Sequence, residues 1–202
     1  MLTLYHAPLS RSSRILTLLD ELGALDKVDV KVVTIPRQDG SGGRDPNNPH
    51  PEGKVPYLVH DGVGIRESNA IMQYLCELFP KAGLAPQPGD ATRGAFLAWM
   101  AWYGNVMEPV LVMNAVGIEN PLLAKTFGGT DEMTGQIETA LSKNPYLLGD
   151  SFTAADLIVV SAYLWMPQIT PDIPVIRDWI ERCGARASLK RTQQRDTATM
   201  AA

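Results

Sequence analysis

The chain has 202 residues, a length that suits two small domains or one of mixed build. Its 45% hydrophobic and 20% charged residues fit a packed globular protein and exclude a disordered one. A net charge of −4, with Lys and Arg scattered except near the C-terminus, argues against a nucleic-acid surface.

Two cysteines, Cys76 and Cys183, stand without a CxxC, and His6, His50 and His60 lack metal-ligand spacing, so neither a disulfide framework nor a metal is expected. No apolar run approaches the roughly 20 residues that cross a bilayer. Met1–Tyr5 has no basic segment followed by a long apolar core. A cytoplasmic protein without a membrane partner is the expectation.

In chain order, Leu2–His6 alternates as a short strand and Ala7-Pro8-Leu9 ends it. Ser10-Arg11-Ser12-Ser13-Arg14 leads into an amphipathic helix stopped at Gly23, with the serines at its N-terminus. Val28–Val33 is the next strand, which makes the opening a strand, helix, strand unit with parallel strands. From Pro36 to Glu52 the sequence is Gly, Pro, Asn, Asp and Arg without periodicity, a long mobile loop. Val55-Pro56 closes that loop and opens the strand Tyr57–His60. Proline is tolerated there because its missing N–H costs no ladder bond. Asp61-Gly62 signals a hairpin turn into Val63–Ile65. Glu67-Ser68 then precedes a helical pattern ending near Phe79 and places Ser68 at a helix N-terminus, where exposed N–H groups attract a carboxylate.

Residues 80–90 hold three prolines and two glycines and mark a linker. Beyond it the pattern is helical to the end. A long helix starts at Asp90–Arg93, apolar almost all round through Phe96, Trp99, Trp102, Tyr103 and Met107, with Glu108-Pro109 as a candidate kink. A second helix falls within Thr130–Leu141. Thr153 and Asp156 form a capping box for the helix that follows, and Pro174 opens another. The polar tail from Arg191 is expected to fray.

Val55-Pro56 followed by Glu67-Ser68 in a strand-turn-strand-helix, behind a Ser-rich first helix and before an all-helical second half, resembles the cytosolic glutathione S-transferases, in particular the bacterial-type, serine-using members. The resemblance covers nearly the whole chain. It implies α/β plus all-α architecture: a thioredoxin-like, glutathione-binding domain over 1–79, a linker over 80–90 and a helical bundle domain over 91–202. It also implies a twofold homodimer, glutathione as co-substrate and no metal. The small helix that relatives place after the second strand has no counterpart in the pattern of 36–52.

The chemistry required is ionisation of a thiol, whose reference pKa of about 8.5 leaves roughly 3% thiolate at pH 7. Lowering it by two units takes about 2.7 kcal/mol. A hydroxyl donating to an anion supplies roughly 1.5–3 kcal/mol, and a helix N-terminus adds about 0.3–2. Ser10, four residues before Arg14 as the resemblance implies for the catalytic hydroxyl, is the first candidate. Ser12 is the alternative and Ser13 the third, against the reading that all three merely cap the helix. Tyr5 falls one residue from the position at which other classes use tyrosine, so it is expected in the core with His6 facing the site, as a hydrogen-bonded structural histidine or as a donor or base.

The resemblance implies a cis Val55-Pro56 bond that turns the Val55 backbone toward the cysteinyl unit of glutathione. Ser68 then takes the γ-glutamyl carboxylate and Glu67 the ammonium, while Lys54, with Arg11 and His50 as further candidates, attracts the glycyl carboxylate. Trp102, Tyr103 and Met107 are candidates for an apolar electrophile pocket, against the alternative that they are helix core. The activity implied is conjugation of the glutathione thiolate to small hydrophobic electrophiles. The alternatives are glutathione-dependent peroxide or disulfide reduction and a non-catalytic interaction protein of the same fold.

Overall fold

A computed structural model describes residues 1–201. Leu2–His6 (β1), Val28–Val32 (β2), Tyr57–His60 (β3) and Val63–Ile65 (β4) form one four-stranded sheet in the order β2-β1-β3-β4. β1 and β2 run parallel with Leu2 opposite Val28, as the crossover through Ser13–Glu21 (α1) requires. β3 pairs antiparallel to β1, and β4 to β3. The hairpin turn is made by Asp61 at φ 47° and Gly62 at φ 85°, both left-handed as a two-residue turn of primed type demands. Leu4 and Leu58 on the sheet, Ile15, Leu18 and Leu19 on α1, and Ile71, Met72 and Leu75 on Ser68–Leu78 (α2) are fully buried together as the core of this unit. Each such side chain contributes about 1.5–3 kcal/mol of transfer free energy. The architecture is the thioredoxin-like sheet with flanking helices expected from the sequence.

The remaining helices are Arg93–Trp102 (α3), Glu108–Ala115 (α4), Pro121–Phe127 (α5), Thr130–Leu141 (α6), Ala154–Trp165 (α7), Pro174–Gly184 (α8) and Ala187–Ala201 (α9). Just ahead of Glu108-Pro109, where a kink is expected, the helix widens into a π-helical turn over Tyr103–Met107, and α4 starts at Glu108. α5 is capped by Asn120, whose side chain accepts from the N–H groups of Leu122 and Leu123. α6 has the predicted limits, and α8 starts on the proline. α7 is nearly all buried, and its box is built around Asp156, which is 0% exposed. The carboxylate accepts from the Thr153 N–H and hydroxyl, from the Leu147 N–H and from Trp179 Nε1 at 2.9–3.0 Å.

The chain divides into two compact units, 1–82 with 186–202 as one and 83–185 as the other. The stretch expected to fray is therefore part of a fifteen-residue helix belonging to the first unit. Its sequence is polar, but its partners are long-range ions and hydroxyls. Arg186 is bidentate to Glu21, Ser188 donates to the same carboxylate, and Arg191 is bidentate to Asp20. Thr192 and Asp196 are buried against the start of the chain. The expected linker is also partly packed: Leu84 is 6% exposed, and its carbonyl accepts from the Ala154 N–H at the start of α7.

Candidate functional site

The turn between β1 and α1 carries the three candidate serines, and none of their hydroxyls caps α1. Ser12 is 0% exposed. Its Oγ lies 2.8 Å from His6 Nδ1, receives the Ala7 N–H at 3.1 Å and is 3.1 Å from the Ala7 carbonyl. Ser13 donates to Asp196 Oδ2 at 2.5 Å. Ser10 is half-buried and outermost of the chain of contacts, with Oγ 2.7 Å from both the Ala7 carbonyl and Ser12 Oγ, and it accepts the Ser12 N–H. The redundantly capped helix is thereby set aside: the hydroxyls serve the turn and its partners.

His6 is buried, with both ring nitrogens bonded, Nδ1 to Ser12 and Nε2 to Asp196 Oδ1 at 3.0 Å. Tyr5 is half-buried, not a core residue, and its ring stands against Tyr57 with centroids 6.2 Å apart. Sheet alternation puts the two residues on opposite faces as expected, but α9 covers the His6 face and leaves Tyr5 on the more open one. Asp196 also accepts the Leu9 N–H at 2.8 Å. Burial pushes its carboxyl up, but the hydrogen bonds from His6, Ser13 and Leu9 outweigh this and hold it below the usual carboxylate range. Leu9 has φ 52°, a left-handed conformation that costs a non-glycine residue about 1–3 kcal/mol and clusters at functional turns. Arg37 grips the same turn from the long loop, its Nη2 donating to the Pro8 carbonyl at 2.8 Å.

The stretch Lys54-Val55-Pro56 has a cis Val55-Pro56 bond. Among the described residues no protein group bonds the Val55 N–H or C=O. The loop before it forms no helix but is tied down. Asp45 accepts the Thr34 N–H, Asn48 donates from Nδ2 to the Lys54 carbonyl at 3.1 Å, and buried His50 accepts the Glu52 N–H while stacking edge-on to Tyr57. Burial lowers the His50 pKa, so that its ring favours the neutral form that accepts. Lys54 is exposed, with its ammonium 2.5 Å from Glu52.

Glu67 precedes α2 at φ 67°, is exposed and makes no capping bond. Half-buried Ser68 begins the eleven-residue α2. In the second unit Tyr103 and Met107 are buried, 3% and 0% exposed, on the π turn, and Trp102 is half-buried edge-on to Trp99. Arg11 is exposed. Among the described residues no three His, Cys, Asp or Glu side chains group as metal ligands, and no helix is long and apolar enough to cross a membrane.

The N-terminal domain model of glutathione S-transferase matches residues 4–86 and the C-terminal domain model residues 95–187. A glutathione S-transferase of Arabidopsis thaliana is 33% identical over 189 residues, covering 83% of this chain and 84% of that one. The chain belongs to the glutathione S-transferase family. A glutathione transferase from Methylococcus capsulatus is 25% identical, with a TM-score of 0.77 over 98% of this chain and 100% of that one. A glutathione transferase homologue from Sulfitobacter, solved with bound glutathione, shares the fold at 21% identity and a TM-score of 0.71, covering 96% and 98% of the two chains.

Within this family member, Asp196, Asn48 and Arg37 are the contributors to the site region that sequence reasoning missed. Asp196 sits in a polar tail with no apolar period to announce a packed helix, and 190 residues separate it from His6. Asn48 carried a weak signal: it lies in an Asn-Pro-rich loop, and such a side chain commonly bonds nearby backbone.

Proposed function

We propose that this transferase activates glutathione at the turn between β1 and α1 and transfers its thiolate to small hydrophobic electrophiles, giving a thioether. The observation that carries the reading is the different commitment of the three serines. Ser12 is buried and Ser13 is engaged by a carboxylate, whereas the Ser10 hydroxyl is part-exposed and has only neutral oxygens for company. A thiolate approaching Ser10 offers its proton a stronger acceptor than the Ala7 carbonyl, because hydrogen bonds to charged groups are worth roughly 1.5–3 kcal/mol against about 1 for neutral ones.

The rest of the unit supports the tripeptide. The unpaired N–H and C=O of Val55 suit an extended backbone that pairs as an added strand. With no side-chain cap from Glu67 and the Ala70 N–H held by the Asn69 side chain, the Ser68 N–H and hydroxyl at the start of α2 are the donors for the γ-glutamyl carboxylate, with exposed Glu67 beside them for the ammonium. Lys54 provides a cation for the glycyl carboxylate once its exposed pairing with Glu52, worth no more than about 1 kcal/mol, is exchanged. We carry the homodimer and the cytoplasmic location as parts of the same proposal.

The test is calorimetry of glutathione binding together with the ultraviolet thiolate absorbance of the complex in the parent and in Ser10→Ala. Binding at millimolar concentration or below, a thiolate band in the parent, and loss of that band with retained binding in Ser10→Ala are expected. An unchanged band removes Ser10 from the mechanism. Parallel assays with a haloarene and a hydroperoxide decide whether conjugation is the main reaction.

A further inference from the structure

Behind Ser10 the hydrogen bonds run without a gap into the interior. Ser10 Oγ is 2.7 Å from Ser12 Oγ, Ser12 Oγ is 2.8 Å from His6 Nδ1, and His6 Nε2 is 3.0 Å from Asp196 Oδ1. Ser12, His6 and Asp196 are 0%, 2% and 1% exposed, and all four residues lie in the first unit. A carboxylate can only accept, so the ring carries its proton on Nε2, and in the neutral imidazole Nδ1 is then an acceptor. Each serine hydroxyl has two acceptors in reach, Ser12 Oγ the Ala7 carbonyl and Nδ1, Ser10 Oγ the Ala7 carbonyl and Ser12 Oγ. Rotating both O–H bonds off the carbonyl lines the donors up in one direction, from the surface serine to the buried imidazole.

We propose that the glutathione thiol proton ends on His6, carried there by Ser10 and Ser12, with Asp196 on the last helix stabilising the imidazolium; the proposal rests on the assignment of Ser10 to the sulfur. As the S–H bond breaks, its proton passes to Ser10 Oγ, the Ser10 proton to Ser12 Oγ and the Ser12 proton to His6 Nδ1. The products are a thiolate and an imidazolium, charge is conserved and no further reagent takes part. Every hydrogen bond of the chain is then reversed: Nδ1–H donates to Ser12, Ser12 to Ser10, and Ser10 to the thiolate. Asp196 accepts from Nε2–H before and after, and so supplies the counter-charge without which a buried imidazolium is costly. Ser10 is the catalytic residue of this scheme, whereas Ser12, His6 and Asp196 act through it as positioning residues.

The surroundings leave Asp196 as the charge that matters to the ring. On β2, Asp29 and Lys31 are exposed and pair with each other at 3.9 Å. On α1, Asp20 is taken by Arg191 of α9 and Glu21 by Arg186 just before it, and Arg14 is half-buried. Arg195 of α9 is exposed. None of these bonds to His6 among the described residues.

The experiment titrates the thiolate absorbance of enzyme saturated with glutathione in the parent, Ser10→Ala, Ser12→Ala, His6→Gln and Asp196→Asn. With the chain intact up to Ser10 but broken behind it, Ser12→Ala and His6→Gln are expected to raise the ionisation midpoint by about one unit, which from a midpoint of about 6.5 cuts the thiolate at pH 7 roughly threefold. Asp196→Asn shifts it in the same direction, and affinity for the tripeptide is retained. Should His6→Gln fail to fold, Ser12→Ala, which deletes one buried oxygen, carries the test. Glu21→Gln separates this from a general loosening of α9, since it weakens that helix without touching the chain and must leave the midpoint in place. The relay is overturned if Ser10→Ala moves the midpoint while Ser12→Ala and His6→Gln do not, or if Glu21→Gln moves it as far as they do. No movement in Ser10→Ala overturns the Ser10 assignment itself, and the relay falls with it.

Discussion

Replacing Asp156 tests the helical unit most sharply, because one buried carboxylate serves four donors there. Asp156→Ala leaves the Leu147 N–H, the Trp179 Nε1–H, and the N–H and hydroxyl of Thr153 without their acceptor. Orphaning a buried donor costs about 1–3 kcal/mol, and the Leu147 N–H and Trp179 Nε1–H both donate to Asp156 Oδ1. Losing the Thr153 half of the cap adds on the order of 1 kcal/mol. The sum, roughly 3–7 kcal/mol, is a large part of the 5–15 kcal/mol that holds a typical domain together. At about 2–4 °C per kcal/mol for a chain of this size, Tm should fall by about 6 °C or more.

Asp156→Asn keeps one oxygen for Leu147 and Trp179 and should cost only about 1–2 kcal/mol. Burial pushes the Asp156 carboxyl up against the pull of its hydrogen bonds. A folded-state value above the unfolded one means that the contribution of this group is fullest below the unfolded value of about 3.9 and declines as pH rises toward the folded value. The stability gap between parent and Asp156→Asn is therefore widest in acid and narrows upward. Urea unfolding followed by tryptophan fluorescence at several pH values measures both effects. A loss below about 1 kcal/mol in Asp156→Ala, or a gap that widens with pH, would refute this account of the box.

Glu21→Gln should loosen the entry into the last helix, where Arg186 and Ser188 hold it, and leave the Asp196 end seated. Burial raises the Glu21 carboxyl, but Arg186 and Ser188 together bring it below the ordinary range, so its contribution is present above the unfolded pKa of about 4.3 and is lost as pH falls through the folded value. The substitution costs about 1–2 kcal/mol after allowance for partial exposure, read as faster amide exchange in the first turn of α9. Asn48→Ala removes the side chain that holds the Lys54 carbonyl and should weaken glutathione affinity severalfold, about 1 kcal/mol by calorimetry, with kcat at saturation little changed. Ser68→Ala takes a donor from the γ-glutamyl carboxylate and should raise Kd about tenfold while leaving the ionisation midpoint of the bound thiol where it was.

What could be read from the sequence was whatever rests on local geometry. Asp61-Gly62 makes its turn because both residues tolerate positive φ, Pro174 opens a helix because its missing N–H is never needed there, and Thr153 with Asp156 lies at the interval that closes a box. Residues 80–90, by contrast, look like plain linker, but Arg93 at the start of α3 reaches back to the Pro86 carbonyl. The largest omission, α9, has a physical cause. Its mean hydropathy is low, and it is held by charge and hydroxyl pairs whose partners lie 165–190 residues earlier, so no window along the chain contains both halves of any one interaction.

The same omission explains why the choice among the three serines could not be made from spacing alone. Ser10, Ser12 and Ser13 are chemically alike and share one turn, and interval arguments rank them only by analogy. What separates them is Asp196, which claims Ser13 directly and Ser12 through His6, leaving Ser10 with the hydroxyl that a ligand can recruit. A residue in the last turns of the chain thus sorts the roles of three residues in its first turn. The polar character that makes the tail look dispensable is the property that lets it do so, because an apolar helix would cover the turn without orienting a single proton in it.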